Sequence, residues 1–286
     1  MKFLRLIFLL LMLSTTFAQT SPGESQTEKD KKQKALEAQV LHILDDAITE
    51  AEMLKLSQNR ALVYAIAGDL YWKFDEKRAR KLFRDSANDL IVGNGEAEKE
   101  KKESDDPYFG MFEWGDVRTQ ILPLVAKHDA DLALELLVQT RSTKLADALA
   151  KATLVNAKQD SGFLSFNPDQ YRVREEIALE QQLAILAADQ DPDKAVKLIK
   201  DSLVKGISWN VLPLLQKLHK KDPKKASGLA SDIVKKIVET DLTKKAEDLN
   251  AAVSFLQFGT DSNSSKPSRD KPFKFTDAQL IDLANK

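Results

Sequence analysis

Apolar residues recur along most of this chain at intervals of three and four, the spacing that lines one face of an α-helix. The clearest run follows Asp191-Pro192-Asp193-Lys194 and puts Ala195, Leu198, Ile199 and Leu203 at i, i+3, i+4 and i+8. Asp191 has the chemistry of an N-cap, a short side-chain oxygen able to accept a first-turn N–H that has no helical partner. Pro192 suits the first helical position, where its fixed φ fits and no N–H is left unpaired. Near-copies of the signal occur three more times. Side by side they read Asp75…Ala79-x-x-Leu82-Phe83, Asp129…Ala133-x-x-Leu136-Leu137, Asp191…Ala195-x-x-Leu198-Ile199 and Asp222…Ala226-x-x-Leu229-Ala230. Each aspartate stands four residues before the alanine, and each alanine three before the apolar pair. The alanines are 54, 62 and 31 residues apart, the last spacing being one helix hairpin.

Taken in order, the pattern predicts a helix over about 28–55, with Leu36, Val40, Ile43, Leu44, Ala47, Ile48, Ala51 and Leu54 on one side. A helix from Ser57 to Lys73 follows, with Leu62, Ile66 and Leu70 facing inward, and turns at Asp75. The stripe Ala79, Leu82, Phe83, Ser86, Ala87, Leu90, Ile91 then ends at Gly93 and Gly95, residues that commonly close helices. The charged run 94–106 reads as a mobile loop. A helix from about Asp116 turns at His128-Asp129 into the second copy, and a further helix covers about 143–158. Residues 159–168 form a linker. A helix over about 168–188 shows Ile177, Leu179, Leu183, Ile185 and Leu186, and leads into the third copy, which closes at Gly206. The helix that carries Trp209 and Leu218 leads into the fourth copy. Helices over about 242–258 and 277–284 complete the chain, with 259–272 a flexible linker and Thr276/Gln279 a capping box. Two first helices also echo each other, Ile121-Leu122-Pro123-Leu124 against Val211-Leu212-Pro213-Leu214.

Four hairpin signals in one register predict an all-α fold, a stack of about five antiparallel hairpins in which each unit buries its apolar face on its neighbours. The pattern resembles α-helical repeat proteins of the tetratricopeptide and HEAT-like superfamily. More narrowly it resembles uncharacterised exported bacterial proteins with repeated Asp-Pro-x-x-Ala-x-x-Leu hairpins, here Asp191-Pro192…Ala195…Leu198 and Asp222-Pro223…Ala226…Leu229. The resemblance covers about Ser57 to Glu239 and implies an irregular superhelical array. It departs from the tetratricopeptide pattern in its irregular period and in the missing glycine of the first helices. No peptide-groove residue is therefore carried over.

Composition changes the picture at the N-terminus. Lys2 and Arg5, the apolar run Leu6 to Leu13 and Thr16-Phe17-Ala18 make a secretory signal peptide over 1–18. Residues 19–27 then form a disordered mature N-terminus, and 28–258 the hairpin-repeat domain. The run is shorter than the roughly 20 residues of a spanning helix, so the expectation is an exported chain, periplasmic or extracellular, with no membrane span after cleavage. Cysteine is absent, which removes disulfides, thiolate metal sites and lipid anchoring. Losing Lys2 and Arg5 takes the formal charge from −1 to −3, 41 basic against 44 acidic residues, which supplies no electrostatic drive toward nucleic acid.

Candidate chemistry is sparse. His42, His128 and His219 are the only histidines. His128 and His219 fall at the ends of first helices, where a cation favours the negative dipole end, and no metal-ligand spacing surrounds them. The repeated aspartates read as caps. Glu175, Glu176, Glu180 and Asp189 would need to converge to within about 5–10 Å for glycosidic cleavage. On one helix such spacings diverge, so a solvated face is expected. Tyr108, Phe109, Phe112 and Trp114 read first as packing and second as interaction anchors. Trp72 and Trp209 are core candidates. No nucleophile elbow, phosphate loop or dinucleotide fingerprint occurs, so no catalytic, cofactor or metal residue is assigned. The function expected is a non-enzymatic module for protein or peptide binding. The alternative is a cell-envelope enzyme, or a helical accessory domain of one, for example in peptidoglycan processing.

Overall fold

A computed structural model of the chain describes residues 26–103, 117–154, 168–208, 210–240, 246–261 and 273–285. Over these the protein is all-α, with twelve helices and no strand. It divides into two compact units, 1–50 and 51–286. In the first unit α1 (Gln26–Ala51) stabilises itself by i,i+4 contacts, Gln33 to Glu37 at 2.7 Å and His42 to Asp46 at 3.5 Å. The signal-peptide segment and most of the mature N-terminus, 1–25, lie outside the described residues.

The second unit is made of hairpins. α2 (Ser57–Tyr71) pairs with α3 (Glu76–Glu103), α4 (Val117–Ala126) with α5 (Ala130–Gln139), α7 (Pro168–Gln190) with α8 (Pro192–Leu203), and α9 (Val211–Lys221) with α10 (Pro223–Glu239). α6 (Thr143–Leu154) packs on α7, and α12 (Asp277–Ala284) packs on α10 and α11 (Ala246–Asp261). All four repeated aspartates cap second helices. Asp75 accepts from Arg78 N at 2.9 Å, Asp129 from Leu132 N at 3.0 Å, Asp191 from Asp193 N at 2.9 Å and Asp222 from Lys225 N at 3.1 Å.

Two local expectations are corrected here. α2 turns Leu62 only partly inward, where it packs on the core, and does not bury Ile66. It buries Ala61, Ala65, Ala67, Gly68 and Tyr71, and leaves Ile66 42% exposed. Small residues let α2 approach α3 closely enough for Phe83 to lie across it. A Cβ on Gly68 would stand 2.8 Å from the Phe83 ring and 3.2 Å from Ala79 O. α3, in turn, does not stop at Gly93 and Gly95 but runs on to Glu103, so the charged stretch begins as helix. Gly93 lies against the start of α2, 3.0 Å from Gln58 for an added Cβ, and Ser57 Oγ donates to Glu96 at 2.8 Å across the same contact.

Gly206 also serves packing, an added Cβ there lying 3.3 Å from Ile177. α11 extends through Gly259 to Asp261, past the expected linker start. The two proline echoes fall in different registers. Pro123 sits inside α4, six residues before its capping Asp129, whereas Pro213 occupies the first turn of α9, nine before Asp222.

The core centres on α7. Its Leu179 and Leu183 join a cluster with Phe83, Leu90, Ile121, Leu122, Val125 and Leu136. Its Ala184, Ala187 and Ala188 join another with Ile199, Leu214, Leu218, Ile233 and Phe255. Val173 and Ile177 pack on Leu145 and Leu149 of α6. First helices touch in succession, α2 on α4, α4 on α7 and α7 on α9, while α3 packs on α5 and α8 on α10.

One contact recurs at each of three junctions. The residue just before a capping aspartate reaches back to the residue three before the preceding cap. His128 stacks on Trp72 with centroids 4.8 Å apart, Gln190 Nε2 donates to Ala126 O at 2.7 Å, and Lys221 Nζ donates to Ala188 O at 3.0 Å. Among second helices, Lys194 pairs with Asp131, and Lys225 with Asp193 at 2.8 Å. Each joins the third residue after one cap to the second residue after the cap before it.

Candidate functional site

The most concentrated polar chemistry lies inside the second unit, where α3, α4, α5, α7 and α8 meet. α5 ends at Thr140, so the carbonyls of its last turn have no helical partner. Arg118, from the first turn of α4, supplies the donors. Its Nη2 bonds Leu137 O at 3.0 Å and its Nε bonds Thr140 Oγ1 at 2.9 Å, while that hydroxyl donates to Leu136 O at 2.7 Å. A cation at a helix C-terminus is favoured by the dipole. Asn94 of α3 adds a bond to Thr140 O at 3.2 Å.

Arg118 is only 3% exposed and needs a counter-charge, which Glu176 of α7 provides, itself 2% exposed. Arg118 Nη1 donates to Glu176 Oε2 at 2.8 Å, and Arg141 Nε donates to Glu176 Oε1 at 2.6 Å. The chain of charges then runs outward. Arg141 Nη2 and Lys205 Nζ both donate to Glu180 Oε1 at 2.6 Å, and Lys205 reaches solvent. One turn along α7, Gln181 accepts from Ser208 N at 3.0 Å and donates to Ser202 Oγ at 3.1 Å and Gly206 O at 3.2 Å, which fixes the path from α8 to α9. Among the described residues no buried side-chain N or O lacks a partner.

This geometry corrects the solvated-face reading of the α7 acids. Glu175 and Asp189 keep partial or full exposure, but Glu176 and Glu180 point inward because arginines from two other elements are aimed at them. Both Glu176 oxygens are held by guanidinium groups, while the two donors to Glu180 share its Oε1. Position on one helix did not reveal this. The partners Arg118 and Arg141 lie 58 and 35 residues away from Glu176, and sequence reasoning passed over both.

The histidines go elsewhere. His128 Nε2 lies 2.5 Å from Asp69 Oδ1 of α2, and its ring stacks on Trp72, over which the Arg80 guanidinium also sits at 4.8 Å. Arg80 continues to Asp129 at 2.9 Å. Burial pushes the Asp129 carboxyl up, but the Leu132 N–H and Arg80 outweigh it and hold the group below its ordinary value. His219 packs edge-on against Phe273, with centroids 5.8 Å apart. Among the described residues no group of three His, Asp or Glu side chains is placed to hold a metal ion. A shallow groove of about 380 Å³ between α8 and α10 is lined by Lys200, Leu203, Val204, Asp232, Lys236 and Glu239 among others, and across it Lys200 Nζ pairs with Asp232 Oδ2 at 2.9 Å as a surface ion pair. Tyr108, Phe109, Phe112 and Trp114, the candidate interaction anchors, and Trp209 lie outside the described residues, as does the 159–167 linker.

Among the described residues no helix is long and apolar enough to cross a membrane. Compared with protein-family models, curated proteins and solved structures, the chain matches none of them.

Proposed function

We propose that this chain is an exported, non-enzymatic module of stacked helical hairpins that binds a protein or peptide segment and acts as a scaffold. The observation that carries the reading is the repeated junction contact, His128 on Trp72, Gln190 on Ala126 and Lys221 on Ala188. Junctions that repeat in register set hairpins side by side, and such arrays offer extended surfaces to protein partners. The step from arrangement to partner is one of fold analogy.

The rival, a cell-envelope enzyme or its accessory domain, would use a buried acid between helices, and Glu176 is the residue that fits that description. Its two arginine partners weigh against it, because a general acid or base needs an oxygen free to exchange a proton. Immobilised chain 19–286, offered envelope extract, should retain a partner that, once purified, titrates to saturation in calorimetry. Release of soluble fragments from cell-wall material by the purified chain, lost in a Glu176→Gln variant that circular dichroism shows still folded at the assay temperature, would instead establish the enzyme.

A further inference from the structure

The three repeated junctions differ in one side chain. The residue just before the cap is His128 at the first, Gln190 at the second and Lys221 at the third, and each reaches back to the preceding hairpin. Of these three residue types, histidine is the one whose ordinary titration falls between pH 5 and 8. The first junction therefore holds a part that the other two lack, a side chain able to gain or lose a full charge near neutrality.

His128 stands at the C-terminal end of α4, where the helix dipole favours a cation, and its side chain is 16% exposed. Each neighbouring element presents a group to it. From α2 come the Asp69 carboxylate, whose Oδ1 lies 2.5 Å from Nε2, and the Trp72 indole, stacked at 4.8 Å. From α3 come the Phe83 ring, 6.4 Å away, and Arg80, which lies over Trp72 and is held by Asp129 at 2.9 Å and Glu76 at 3.2 Å. Lys127, next to His128 in the chain, bonds the same Asp69 oxygen at 2.8 Å, and α7 contributes the neutral Gln190 on Ala126 O. Three carboxylates, Asp69, Asp129 and Glu76, thus share two basic side chains, Lys127 and Arg80. An imidazolium at His128 supplies the third cation. It makes the Nε2 contact a charge-assisted bond and sets a cation on tryptophan, the ring that receives one best.

We propose that this junction is a proton-responsive clamp. With His128 charged, α2 and α3 are held firmly on α4 and α5; with His128 neutral, the first hairpin loosens from the rest of the second unit. A group whose cation gains partners on folding adds stability that is present at low pH and lost as pH rises through its titration. The clamp needs no partner, so it stands apart from the binding reading.

Amide hydrogen exchange of chain 19–286 at pH 5.5 and pH 8, corrected for intrinsic rates, tests it by reporting local opening. The reporters are Trp72 N and Asp75 N, bonded to Gly68 O and Tyr71 O, and Asp129 N, bonded to Val125 O. The Asp129 carboxyl, held below its ordinary value, stays ionised at both pH values. Protection at these amides should be about fivefold to thirtyfold greater at pH 5.5, the range for a histidine cation at a partly buried helix C-terminus. Amides of α8 should change by less than about twofold, the level of a contact that does not titrate. His128→Gln, which installs the side chain of the second junction, and Asp69→Asn, which keeps the histidine, should each bring the ratio at the reporters close to that of α8. If His128→Gln fails to fold, Asp69→Asn carries the comparison. A parent ratio no larger than that of α8, or an undiminished ratio in Asp69→Asn or in folded His128→Gln, would overturn the proposal.

Discussion

Replacing Glu176 by glutamine isolates the electrostatics of the interior with almost no change in volume. The amide keeps an acceptor for one guanidinium but removes the negative charge between Arg118 and Arg141. Arg141 is near enough to solvent, and to Glu180, to relax. Arg118, at 4% side-chain exposure, is not. Removing one member of a buried pair leaves an uncompensated buried charge and costs about 3–5 kcal/mol. With total stability on the order of 5–15 kcal/mol, that is a large fraction. For a unit of this size it corresponds to a fall in Tm of roughly 6–20 °C.

Urea melts of the mature chain measure the loss directly. Arg118→Met with Glu176→Leu should recover most of it, since apolar replacement of a whole buried pair is often neutral or better. The cycle thereby separates a charge effect from a packing effect. A cost below about 1 kcal/mol for Glu176→Gln, the level of an exposed pair, would refute the account of Glu176 as a structural counter-ion. Hydrogen exchange at the end of α5 should rise in the single variant, because Arg118 also holds the Leu137 and Thr140 groups there.

Other outcomes follow from single contacts. Gly68→Ala should destabilise by about 1–3 kcal/mol through overpacking against Phe83, whereas Gly95→Ala, with nothing near an added Cβ, should stabilise α3 by up to about 1 kcal/mol; thermal melts of the two should move in opposite directions. Asp191→Ala should cost about 1 kcal/mol as the loss of an N-cap, and amide exchange should rise at Asp193 and Lys194, whose N–H groups the carboxylate accepts. Asp129 has a folded-state value below its ordinary 3.8, so its contribution is complete above that value and declines as pH falls through the lower folded one. Urea midpoints of the parent chain should therefore fall more steeply than those of Asp129→Asn between about pH 4 and pH 2.

The elements legible in the sequence were those whose cause is local. A capping aspartate and a 3.6-residue stripe act within one turn, and all four second helices begin where Asp75, Asp129, Asp191 and Asp222 predict. The errors arose where a neighbour decides. α2 carries leucine and isoleucine on one side and alanine and glycine on another. Hydrophobicity favours the first, yet close approach to Phe83 buries the second fully and leaves Leu62 at the margin of the core and Ile66 exposed. Gly93 reads as a stop when judged by propensity, but the chain continues as helix because α2 packs at that point and Ser57 is tied to Glu96. A helix penalty of about 1 kcal/mol for glycine is small beside such contacts.

α7 shows most clearly why the candidate site escaped a one-dimensional reading. Periodicity assigns a helix one inner and one outer face, and Glu176 and Glu180 fell on the face left over after its leucines were placed. The outer face of α7 is narrow along this stretch, held by Tyr171, Arg174 and Gln182. One side belongs to the core of α2–α5, a second to that of α8–α11 and a third to α6. A helix enclosed on several sides buries polar residues outside that narrow face, as α7 does Glu176 and Gln181, and each then requires partners from outside itself. Acids flanked by leucines within a long helix are therefore ambiguous until the arginines elsewhere are located. Arg118 gave a signal of a kind, a charged residue just ahead of the apolar run Ile121-Leu122 and one turn away from its buried face. Its partner acid is fixed only by the packing of α4 and α5 on α7, which brings residues 58 positions apart within 2.8 Å.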